Sequence, residues 1–185
     1  MRALAVLALL ALAACAEEPA ATSQLAEGDR GVAVELPAGW HLADERLTPN
    51  LTDPVEVLAA ATVPLRYRET GCAHVAGAAL EDLGPQDAFL TLQERGYDHR
   101  SAWPDFPPRP DRFGPRLGER SEASYCVPAA RFTDHWFGFS ESGRRFHVLV
   151  AFGPEAPEHV RAEAWAVLDS LRIDPTVRPE WRASG

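Results

Sequence analysis

Two runs of aromatic and β-branched residues, 132–139 and 145–152, are separated by only five residues, of which Ser140-Glu141-Ser142-Gly143 read as the turn. No other feature narrows the fold of this chain as much. Period-two runs joined by so short a polar, glycine-ending link predict an antiparallel hairpin. Gly153-Pro154 then stops the second strand, and residues 157–171 carry Val160, Ala164, Val167, Leu168 and Leu171 at helical spacing. One apolar stripe needs one partner face. Pro157 suits the first helical turn, and Glu155 and Glu158 suit its positive end. A hairpin followed at once by an amphipathic helix predicts a sheet with a helix laid on it.

Upstream segments extend that sheet. Residues 31–36 (GVAVEL) alternate and predict a strand with one buried face. Pro37-Ala38-Gly39-Trp40 predicts a turn. Residues 55–65 predict a more buried strand, 76–83 a short helix ended by Gly84-Pro85, and 88–93 another strand. A short strand around Cys126 is expected over 123–127. Residues 98–118 hold five prolines and no period, which predicts a long loop. The order of elements gives an α+β fold, a mostly antiparallel sheet with packed helices. An early "VELPAGW", a central hairpin and a last helix ending "VLDSLRI" resemble the PsbP-type α/β/α sandwich. Members of that fold are mostly non-catalytic binding or assembly factors, so the resemblance implies a binding role and transfers no functional residue.

The amino-terminal segment is of another kind. Arg2 precedes a short apolar run, 3–11, which ends in Leu12-Ala13-Ala14-Cys15, and the following residues are polar. The run is too short to span a bilayer and fits the apolar core of a secretory signal. These residues resemble a bacterial lipoprotein signal, which implies cleavage before Cys15 and acylation of that cysteine. Residues 1–14 then form the signal peptide, 15–30 a lipidated flexible stalk, 31–175 a single domain and 176–185 a tail. Two or three acyl chains would hold the protein durably at the membrane, outside the cytoplasm. With Cys15 so assigned, Cys72 and Cys126 are left as a pair, and an oxidising envelope favours a disulfide between them. Closing that loop contributes about 4 kcal/mol in the chain-entropy account.

Composition excludes several functions. The chain has 18 basic and 27 acidic residues, a net charge of −9, which disfavours nucleic acid and charge-driven binding to anionic lipid. Every basic residue is arginine, as a high-GC genome such as an actinobacterium's would give, so no lysine Schiff base or phosphate-loop lysine exists. "GFSESG" is not a nucleophile elbow. The six histidines lack metal-ligand spacing, although His135 and His147 lie on neighbouring strands and could meet across the hairpin. No catalytic residue, metal ligand or cofactor is expected.

The proline loop is the candidate binding element. It interleaves Trp103, Phe106 and Phe113 with Arg109, Arg112 and Arg116, the residue types that anchor interfaces. The competing expectation is that its rings pack onto the sheet and its arginines pair with nearby acids. The function expected is that of a lipid-anchored envelope protein with a non-catalytic binding or accessory domain, for a protein or small-molecule partner. An envelope hydrolase or metal-dependent enzyme and a structural spacer are the alternatives.

Overall fold

The computed structural model describes residues 23–72, 74–96, 106–118, 127 and 131–177. Ten elements follow one another: β1 (Gln24–Glu27), β2 (Val32–Leu36), β3 (His41–Leu42), β4 (Val55–Ala61), α1 (Gly77–Asp82), β5 (Ala88–Glu94), β6 (Thr133–Glu141), β7 (Arg144–Phe152), α2 (Glu158–Asp169) and β8 (Arg172–Ile173). They build a sheet-rich α+β fold. The larger sheet has the order β3-β4-β5-β7-β6 and the smaller β1-β2-β8, and every strand pairing is antiparallel.

The hairpin is tighter than its sequence predicts. β6 and β7 run to Glu141 and Arg144, so only Ser142 and Gly143 form the link. Both have positive φ, 53° and 70°, the backbone twist that suits a two-residue hairpin. Ser140 and Glu141 are therefore strand residues.

Alternation along the central strands divides the core into two. Leu90 and Leu92 of β5, with Val148, Val150 and Phe152 of β7, face α2 and the apolar side of β2. Phe89, Leu149 and Ala151 face the other way, against Ala76, Ala79, Leu80 and Leu83 around α1. β4 and β5 are buried along their whole length because both faces are covered. On α2, the predicted face holds: Ala164, Val167, Leu168 and the following Leu171 are buried, and Val160 packs at the margin.

Several boundaries differ from expectation. The strand predicted over 55–65 ends at Ala61. The stalk predicted over 15–30 contains β1, whose Gln24–Glu27 pairs with β2 in unbroken register. β8 also escapes the sequence pattern, since two residues beyond a helix carry no period. The strand expected over 123–127 lies outside the described residues except for Val127, which sits in a turn. Among the described residues, no helix is long and apolar enough to cross a membrane.

Candidate functional site

The proline loop is used first by the fold. Pro107 O accepts from Ser140 N–H at 2.7 Å, and Arg109 N–H donates to Ser140 O at 3.0 Å, so 107–109 pairs with the outer edge of β6. Phe106 is half-buried, edge-on to His147 with ring centroids 4.8 Å apart. It sits where a Cβ at residue 138 would stand, which only Gly138 permits. Phe113 is buried in the α2-side core, against Phe139 at 5.4 Å. Arg109 is turned inward. Its guanidinium donates to Leu171 O at 2.8 Å and Asp169 O at 3.1 Å, and it pairs with Glu141 at 3.0 Å. A cation there satisfies carbonyls that the end of α2 leaves without partners.

Of the six loop residues singled out from the sequence, Arg112 and Arg116 are exposed; Arg112 reaches Asp169 only at 3.6 Å. Trp103, like Cys15 and Cys126, lies outside the described residues. Cys72 is buried on the α1 side of the sheet, in the same apolar cluster as Val127.

His135 and His147 do not meet. His135 pairs with Val150 and His147 with Gly138, an odd offset along β7 that sends the rings to opposite faces. His135 lies beside Trp165, and burial lowers its pKa against the opposing pull of Asp134. Among the described residues, no three His, Cys, Asp or Glu side chains are grouped to hold a metal ion.

His147 belongs instead to a polar row that crosses four strands on the α1 side, Gly138–His147–Gln93–Glu56. Burial, reinforced by the Arg95 guanidinium, pushes the His147 pKa down to about 4, while Asp53 opposes the shift. Arg95 Nη1 lies 3.4 Å from His147 Nε2. Guanidinium can only donate, so Nε2 accepts and the ring proton of the neutral imidazole sits on Nδ1. Trp136 stacks on the same ring at 5.1 Å. Gln93 Nε2 donates to His74 O at 3.0 Å. Glu56 accepts from Leu47 N–H and Thr48 Oγ1, both at 2.8 Å, and its burial raises its pKa despite those bonds.

The open site lies elsewhere. A groove of about 1080 Å³ runs between β1 and β3, bounded on its far side by Pro64, Leu65 and Arg66. A smaller hollow of about 340 Å³ continues it past those three residues towards Ala79 and Asp82. Among the described residues β1 and β3 are edge strands, one in each sheet, each with a single neighbour. Leu36 and Trp40, both buried, contribute apolar surface to the groove. The indole N–H of Trp40 donates to Glu163 at 3.0 Å, which ties this wall to α2. Exposed Glu27, Asp44 and Glu45 stand on its rim against one arginine, Arg66. Leu25 is 49% exposed, the one large apolar side chain so placed among the described residues. Residues from three separate stretches build this groove, so no local motif announced it. No family model matches the sequence, and no curated protein matches it.

Proposed function

We propose that this chain is a lipid-anchored protein of the cell envelope whose domain binds a partner without chemistry. The open groove between edge strands β1 and β3 carries this reading. Its mostly polar lining, with exposed carboxylates beside the small apolar surface that Leu36 and Trp40 contribute, suits recognition. The finer likeness to a PsbP-type sandwich belongs to the same proposal. It draws support from α1 and α2 packing on opposite faces of the larger sheet.

The anchor rests on Leu12-Ala13-Ala14-Cys15. Ser23, which lines the groove, follows Cys15 by eight residues, at most about 28 Å of extended chain. An acylated Cys15 would hold the groove within that distance of the bilayer surface. A disulfide between Cys72 and Cys126 is part of the proposal, supported by the burial of Cys72 in one cluster with Val127, the neighbour of Cys126.

Mass measurement of the protein extracted from membranes tests the anchor. A chain beginning at Cys15 with two or three acyl groups is expected, and Cys15→Ser releases the protein to the soluble fraction. An unmodified Cys15 thiol refutes the reading. Alkylation before and after reduction tests the disulfide, and reduction should expose two further thiols.

A further inference from the structure

We propose that the groove takes up a strand: an extended, basic segment of a partner protein that adds to the free edge of β1. This rests on the binding reading above and specifies its ligand. Half of the amide groups of an edge strand point away from its single neighbour and are open to a further strand. Proteins usually blunt such an edge with proline, positive charge, a bulge or a covering loop.

This molecule protects its longest edge in that way. β6, nine residues long, is covered by Pro107 and Arg109. β1 is only four residues long, and among the described residues no segment pairs with its outer edge. It carries no proline or arginine, and its register with β2 runs without a bulge. It also presents Leu25 to solvent. A strand laid beside β1 would enter the groove that Leu36 and Trp40 help to line.

Charge selects the partner. Glu27, Asp44 and Glu45 on the rim outnumber Arg66, so arginine or lysine on the incoming strand finds complementary partners. The same three carboxylates disfavour pairing of β1 with β1 of a second copy, and they repel anionic lipid headgroups.

The test titrates the full chain against labelled nonapeptides and reads fluorescence anisotropy. Alternating Val-Arg peptide should bind saturably, and alternating Val-Glu peptide should not. N-methylation of every second amide, made in both registers, should weaken binding at least tenfold in one register or both. The combined variant Glu27→Gln, Asp44→Asn, Glu45→Gln removes only exposed charges and should weaken binding about tenfold. Equal affinity of the parent and both N-methylated peptides overturns strand addition. An unchanged affinity in the triple variant overturns the charge selection. Absence of binding by the Val-Arg peptide, or a peptide-free dimer in sedimentation that the triple variant strengthens, overturns the proposal as a whole. The state of Cys15 is read separately by mass, so failure here leaves the anchor standing.

Discussion

Glu94→Gln should cost more stability than any other single change of charge in the described domain. The carboxylate is fully buried at the end of β5, and Arg144, 2% exposed at the start of β7, meets it with two bonds of 2.7 and 3.0 Å. Arg30 approaches from the turn before β2 at 3.5 Å but is 24% exposed. Two unit charges about 4 Å apart attract by about 4 kcal/mol at the effective dielectric that suits such sites. Desolvation offsets much of that while the pair is intact. Removing one partner leaves the other buried and charged, and the loss is about 3–5 kcal/mol. Contact of Arg144 with the Phe146 ring, at 5.1 Å, recovers only a part. The assay is equilibrium denaturation followed by tryptophan fluorescence under non-reducing conditions. The midpoint should fall while the slope stays constant. The double variant Glu94→Leu, Arg144→Met removes both charges and should return to within about 1 kcal/mol of the parent. Arg30→Met should cost under about 1 kcal/mol, because its charge is partly hydrated. A loss below about 1 kcal/mol for Glu94→Gln, or a double variant no more stable than the single one, would refute the reasoning.

Arg109→Met should destabilise by about 2 kcal/mol, because it strips charged donors from the carbonyls at the end of α2. Arg109→Lys should recover only part of this, since one ammonium cannot span acceptors that a planar guanidinium reaches together; full recovery in thermal melts contradicts the geometry. Glu56 has a folded pKa raised by burial, so the folded state holds its proton more tightly than the unfolded chain does. Its contribution is therefore present at low pH and lost as pH rises above 4.5 through the folded value. Glu56→Gln keeps an acceptor for Leu47 N–H and should gain on the parent between pH 4 and 7; parallel pH profiles would refute this. His147 has the opposite sign. Its folded pKa of about 4 lies below the ordinary 6.5, so its contribution is full above 6.5 and is lost as pH falls towards 4. The difference amounts to about 3 kcal/mol at most. His147→Gln should flatten that acid limb, and ring chemical shifts should titrate near pH 4 in the folded protein.

What the sequence made legible was whatever repeats along it. The hairpin, α2 and the buried face of β2 all follow from apolar residues at period two or 3.6. β1 was hidden because Gln24–Glu27 is exposed or half-exposed throughout and shows no alternation; β2 makes it a strand, not its own composition. The aromatic residues of the proline loop were visible, but their use was not. That loop needed an edge to cover, and the edge is set by which of β6 and β7 lies outermost. Arg109 illustrates the same limit: it stands about 60 residues from the carbonyls it satisfies. His135 and His147 looked like neighbours in the sequence, and the parity of their positions on paired strands, once the turn was known to be Ser142-Gly143, separates them.

The larger sheet is unlike at its two ends, and this sets the buried ion pair apart from the groove. At Gln93 and Glu94 the two faces of β5 carry the polar row and the buried ion pair. At Ala88 and Phe89 both faces are apolar and lie under the helices. Phe89 pairs with Ala61, and Ala61 with His41 of β3, which lines the groove. Five residues of extended strand separate Phe89 from Glu94, about 17 Å. The groove's own charges are exposed and contribute little to folding. Changes at Glu94 or Arg144 act on the denaturation midpoint, and changes at Glu27, Asp44 or Glu45 act on the affinity for an incoming strand.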